Sequence, residues 1–201
     1  MSDSHFDPKL LEPSKLTSPW FPVGSDSVRL LCDGVQAFPA MLEAIAAAKR
    51  EILLEMYWIG ADRSVRNALF RAVARGVSVR VLVPAESDVQ VVQFAQHALF
   101  DTLLRHGVQI YALAPPMLHS KTAIIDDHFC TIGSYNLDER SWRKNLELNL
   151  AVEDLAFARH VRDQYDRDVT RAHKVDLHSW RGRSVARRGA EWVAWALREL
   201  W

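Results

Sequence analysis

The sequence has no surplus of charge of either sign: 25 Lys and Arg stand against 25 Asp and Glu over 201 residues, a formal net charge of +0. No global field therefore draws the chain to nucleic acid or to an anionic membrane, although a local basic cleft would still serve a nuclease. Cysteine is scarce. Cys32 and Cys130 each sit inside an apolar run and read as buried thiols of a reducing compartment, not as a disulfide framework. No apolar run approaches the ~18 residues of a membrane span. The first residues, MSDSHFDPKLLEPSKLTSPWFPVG, lack the basic-then-apolar pattern of a signal peptide. The expected location is cytoplasmic, with at most peripheral contact at the inner face of a membrane. Repeats and low-complexity tracts are absent too, and 49% hydrophobic residues suffice for one sizeable core.

Residues 1–26 are punctuated by Pro8, Pro13, Pro19 and Pro22 and read as an irregular arm; residues 27–201 read as a single domain. Within it, SVRLLCD, EILLEMYWI, VSVRVLVP and VQIYAL have strand character, the second as a continuous buried run and the third by alternation. Helical stripes separate them, as in SVRNALFRAVARG with Val65, Leu69, Ala72 and Val73 on one face. KTAIID and HFCTIGS flank Asp126-Asp127 as a hairpin, LELNLAV alternates as a further strand, and helices follow. This rhythm predicts an α/β fold, a mixed β-sheet with helices on both faces.

The chemistry concentrates in MLHSKTAIIDDHFCTIGSYN, residues 117–136. On a strand, residues two apart share a face, so His119 and Lys121 point together, and Ser134 and Asn136 repeat that spacing after Gly133. An imidazole, an ammonium, a hydroxyl and a carboxamide suit a phosphodiester. Lysine neutralises a non-bridging oxygen, the other two donate hydrogen bonds, and a neutral imidazole can attack phosphorus. Gly133 is expected to let backbone approach the ligand. Glu147, on the next strand, is expected to accept from the far imidazole nitrogen and fix its tautomer.

His119, Lys121, Asp126, Gly133, Ser134 and Asn136 match position for position the HKD motif of the phospholipase D superfamily, which the chain resembles. The flanks VRLLCDGVQAFPAMLEAIAAAKREILLEMYWI and NLDERSWRKNLELNLAVED resemble the catalytic unit of bacterial cardiolipin synthases. The resemblance implies an enzyme that works without metal or cofactor through a phosphohistidine, with Asp126 in a supporting role and Glu147 steadying the histidine. It also implies two motif histidines, one on each side of phosphorus, as in-line displacement demands. This chain carries one. His97 lies in a helix without a lysine two residues on, and the remaining histidines also lack the pattern. The expected partner is a second copy completing one composite site across a two-fold axis, with a hetero-partner bearing another HKD motif as the alternative. Phospholipid is the expected substrate. Nucleic acid is the alternative, since compact single-motif members of the superfamily include homodimeric nucleases.

The C-terminal stretch SWRGRSVARRGAEWVAWALRELW is a Trp/Arg-rich amphipathic helix, and the chain carries a net +4 from residue 171 onward. On a wheel of ~100° per residue, Val185, Trp192, Val193, Ala196, Leu197 and Leu200 share an arc expected to pack on the sheet. Trp195 falls among Arg187, Arg188, Glu191 and Arg198 on the outer side. The alternative is an interfacial helix at anionic lipid headgroups.

Overall fold

The computed structural model describes residues 18–59 and 62–197. The chain runs β1 (Phe21–Val23), β2 (Asp26–Cys32), α1 (Asp33–Ala47), β3 (Glu51–Met56), α2 (Arg63–Ala74), β4 (Ser78–Pro84), α3 (Gln90–Arg105) and β5 (Gln109–Leu113). It continues through β6 (Lys121–Ile125), β7 (Phe129–Gly133), α4 (Glu139–Arg143), β8 (Leu148–Glu153), α5 (Leu155–Thr170), β9 (Ala172–Lys174), α6 (Leu177–Arg181) and α7 (Val185–Ala196). The strands form one mixed sheet in the order β1-β2-β8-β7-β6-β3-β4-β5-β9. β3, β4 and β5 are parallel, whereas β2, β8, β7, β6 and β3 pair antiparallel in sequence across the sheet.

Both faces carry helices, as the α/β rhythm predicts. On one face Leu31, Leu54, Val81, Ala123 and Ala151 pack beneath α1, α2 and α3, whose contributions include Met41, Leu69 and Phe100. On the other, Leu53, Ile124, Cys130 and Val152 pack against Ala158 and Tyr165 of α5. Cys130 is fully buried, and desolvation pushes its thiol up to about 11. α2 begins where the Asp62 side chain accepts from the backbone N–H of Ser64 and Val65, satisfying two otherwise orphaned donors.

Two expectations need correction. The arm expected over 1–26 ends sooner, because Phe21–Val23 pairs with β2; Pro22 is tolerated there because β1 is an edge strand. Residues 1–17 lie outside the described part. The second concerns α7, which is rotated the opposite way from its hydrophobic pattern. Glu191 (2% exposed) and Ala194 face α3, and Trp195 is partly buried, while Trp192 is 56% and Val193 60% exposed. The cause is an ionic cluster. Arg183 donates to the Glu191 carboxylate, which also lies 3.7 Å from His97 Nδ1 of α3. Burial would raise the Glu191 pKa, but His97 and Arg183 outweigh it and hold the group below its usual range. Leu200 lies outside the described residues.

Candidate active site

The site forms where the antiparallel half of the sheet meets the parallel half. Lys121 opens β6 and stands in register with Met56 on β3 and Gly133 on β7. His119 precedes it on the chain and is exposed, so its ring is open to a substrate or to another chain. Lys121 is 5% exposed. Its Nζ donates to the His119 backbone carbonyl at 2.6 Å and stands 3.1 Å from both imidazole nitrogens. Burial lowers the Lys121 pKa, and the carboxylates of Glu147 and Asp138 oppose that shift. Tyr57 forms a wall. Its ring centroid lies 5.2 Å from that of His119 and 5.5 Å from the Lys121 ammonium. Its hydroxyl donates to Asp88 at 2.8 Å, holding the ring in place.

Ser134 follows β7 and donates to Glu147 Oε2 at 2.5 Å, while Asn145 Nδ2 donates to Oε1 at 3.0 Å. Glu147 therefore does not take the expected place against the imidazole: its carboxylate is engaged by Ser134 and Asn145, and it meets the His119/Lys121 pair through the charge on Lys121. Asp33 fixes its position. Asp33 N donates to the Glu147 carbonyl at 2.7 Å, and Glu147 N donates to Asp33 Oδ1 at 2.9 Å. This clasp is made at φ 58, a left-handed conformation that a non-glycine residue adopts at a cost. The Asn136 Oδ1 is buried without a hydrogen-bond partner among the described residues.

Two predicted site residues play other parts. A Cβ on Gly133 would come within 2.2 Å of Asn149 Oδ1 and 2.3 Å of the Leu148 carbonyl. The close approach of β8 thus requires the glycine. Asn149 Oδ1 in turn accepts from Tyr135 N at 3.0 Å, which directs the chain from Gly133 toward Asn136. Asp126 lies at the opposite end of β6 from Lys121. Its carboxylate accepts from the backbone N–H of Lys49 at 2.7 Å, Arg50 at 2.8 Å and Glu51 at 2.9 Å. Burial would raise its pKa, but these backbone donors and the Arg50 charge hold it below the usual carboxylate range. It ties the β6–β7 hairpin to the loop before β3.

An exposed imidazole, a buried ammonium against it and a hydroxyl–carboxylate pair make a small polar cluster suited to a tetrahedral anion. The family model described as Cardiolipin synthase, PLD-like domain matches residues 41–169. The chain belongs to that family. Cardiolipin synthase A of Pseudomonas entomophila is 35% identical over 155 residues, 73% of this chain and 32% of the relative. Cardiolipin synthase A of Yersinia pestis is 32% identical over 152 residues, 76% of this chain and 31% of the relative. The chain thus spans about a third of the length of these curated relatives. Among solved structures, the phospholipase D family member Nuc from Salmonella typhimurium superposes with a TM-score of 0.66 at 21% identity, over 75% of this chain and 99% of Nuc. Phosphatidylserine synthase from Haemophilus influenzae gives 0.69 at 10% identity, over 87% and 46%. At such identities the likeness establishes the fold.

Sequence reasoning missed several residues of this PLD-like domain. Tyr57 was absorbed into an apolar strand, although an aromatic at the end of a central strand is positioned to flank a site. Glu55 was absorbed likewise. It is 5% exposed and accepts from Ser120 and, at 3.3 Å, from Thr122, the two residues that bracket Lys121. Asp33 and Asn149 act on backbone groups and leave no spacing signal.

Proposed function

We propose that the chain is a phospholipase D-type phosphodiesterase or phosphatidyltransferase acting through His119. An imidazole nitrogen attacks phosphorus, the P–N bond forms as the P–O bond to the leaving alcohol breaks, and a second imidazole protonates that oxygen. Water or an acceptor alcohol then attacks the phosphohistidine, gives its proton to the same imidazole, and frees His119. Lys121 balances charge on the non-bridging oxygens, with help from Ser134 and Asn136. Glu147 holds Ser134 in place and offsets the cationic charge of the site. The observation that carries this reading is the exposed His119 ring with the Lys121 ammonium 3.1 Å from both its nitrogens.

Because nucleophile and acid must stand on opposite sides of phosphorus, a homodimer supplies the second imidazole. A phosphatidyl lipid is favoured as substrate by the family and by the cardiolipin synthase relatives. α7 supports peripheral membrane contact, since its outward stripe of Val185, Trp192, Val193 and Leu197 is apolar and the C-terminal segment is basic. Among the described residues no helix is long and apolar enough to cross a membrane. The fold shared with Nuc motivates nucleic acid as a second substrate to test, though the balanced charge of the chain offers it no general attraction.

The test incubates the protein with EDTA and either labelled phosphatidylglycerol vesicles or single-stranded DNA. Turnover of the lipid, abolished in His119→Asn, is expected. Turnover of DNA alone overturns the lipid assignment, and substantial activity in His119→Asn overturns the nucleophile.

A further inference from the structure

The mechanism leaves one buried ionic group unused. Glu191 on α7 accepts from Arg183, stands 3.5 Å from Arg187 Nε and lies 3.7 Å from His97 Nδ1 on α3. Trp180 closes the cluster, edge-on to the His97 ring at 5.1 Å, with the Arg183 guanidinium 3.4 Å from its own ring centroid. This is an unusual anchor for a helix whose apolar stripe of Trp192, Val193 and Leu197 faces outward, since burial of that stripe is the ordinary way to fasten such a helix. A buried charge fits only where its partners stand, so the cluster selects one rotation of α7.

What that rotation presents to the protein leads to the site. Ala194, three residues beyond Glu191 and on the same side of the helix, packs in a cluster with Trp58 and Ala95, and Tyr57 packs against that cluster. Trp58 belongs to the segment Tyr57–Ile59, which follows the last residue of β3. The segment touches both halves of the motif. Tyr57 stands against His119 and Lys121, while Ile59 forms a parallel bridge with Leu137, the neighbour of Asn136. Helices hold it from behind: Ile59 N donates to Gln96 Oε1 of α3 at 3.0 Å, and α7 supplies Ala194.

We infer that Glu191 is a positioning residue for the His119 site: it latches α7 in the rotation that seats Ala194 behind Tyr57–Ile59, and so fixes the wall beside the reacting imidazole. The inference rests on the reading of His119 as the nucleophile. Glu191 touches no reacting atom; its influence runs through packed groups, from α7 to Trp58 and from Tyr57 to the imidazole. In-line attack depends on the direction of that ring, and a misplacement of about 1 Å can cost on the order of 10²-fold in rate.

The experiment compares the intact chain with Glu191→Ala, Glu191→Gln and Asp126→Ala, the last of which destabilises the fold at the opposite end of β6 from the site. Turnover of phosphatidylglycerol or single-stranded DNA, whichever the protein cleaves, is expressed per folded molecule, and hydrogen exchange is read at the Ile59 amide. Glu191→Ala is expected to lose about tenfold or more in turnover and to exchange the Ile59 amide about tenfold faster, with the Ala123 amide of β6 changed by less than about threefold. Glu191→Gln, which keeps an acceptor for Arg183 but not the charge, is expected to fall by about threefold, and decides the matter by the same two readings should Glu191→Ala not fold. A purely structural role would make Glu191 behave as Asp126 does, with stability lost and turnover per folded molecule held within about twofold. Turnover that falls no further than in Asp126→Ala, or Ile59 exchange that rises no more than that of Ala123, overturns the inference and leaves the nucleophile standing. Full turnover in His119→Asn overturns the nucleophile, and with it the reach of the latch to the chemistry, even where Ile59 exchange responds.

Discussion

Asp126 offers the sharpest division between a residue that does chemistry and one that holds the frame. Asp126→Ala removes the acceptor for three backbone N–H groups, those of Lys49, Arg50 and Glu51. The first two bonds are exposed, so water takes over and each loss costs about 0.5–1 kcal/mol; the part-buried bond of Glu51 costs roughly 1–2. Alanine must also adopt φ 54, adding about 1 kcal/mol. The sum is roughly 3–5 kcal/mol, which for a chain of this size lowers Tm by about 6–20 °C. Asp126→Asn keeps a residue tolerant of that conformation and one acceptor, so its loss should be about half. The pH dependence has a fixed sign. Because the folded-state pKa is depressed, the contribution of Asp126 is complete above the unfolded value of about 3.9 and fades as pH falls through the folded one. Urea unfolding at pH 7 and pH 3 should therefore show a difference between wild type and Asp126→Asn that shrinks in acid. Below the unfolding transition, turnover per folded molecule should stay within about twofold, since the residue lies a strand's length from Lys121. Unchanged stability with turnover lost a hundredfold would refute this account and restore Asp126 to the chemistry.

Two further outcomes test the site and the helix. Glu55 has a raised pKa, chiefly from burial, with the Asp168 charge adding to it and the hydroxyls of Ser120 and Thr122 opposing it. Its stabilising contribution is therefore full below about 4.3 and lost as pH rises through the folded value, so the margin of wild type over Glu55→Gln in urea unfolding should narrow from pH 4 to pH 7; a margin independent of pH contradicts it. On α7, Trp192→Ala should weaken sedimentation with anionic vesicles severalfold and leave Tm within about 2 °C, whereas Trp195→Ala should lower Tm and spare vesicle binding; the reverse pattern would mean the helix turns its other face to the protein in solution.

The sheet was legible because its strands are short runs of one character. The continuous apolar EILLEM reads as a strand buried on both sides; LNLAVE alternates and so reads as a strand, but Leu148 and Leu150 are exposed and Asn149 is buried, so the alternation did not tell which face is covered. The contact of Lys121 with His119 was legible in their two-residue spacing, although β6 begins only at Lys121 and Ser134 and Asn136 lie beyond the end of β7. The orientation of α7 was not. A helical wheel reports which side chains share an arc, but which arc turns inward was decided by His97, distant in sequence, and Arg183, eight residues away, gathering around Glu191. The structural parts of Asp126 and Gly133 were not legible for a related reason. Their partners are backbone amides and an Asn149 oxygen, which write no pattern into the residues around them. β9 has three residues and no alternation to detect.

Both rims of the sheet end in strands of three residues, β1 and β9, and β1 carries Pro22, which has no N–H to offer a neighbour. Another molecule arriving at either rim finds too few backbone groups to prolong the ladder. Growth of the sheet by strand addition is blocked in both directions, which guards the described rims against the edge-to-edge pairing that seeds fibres.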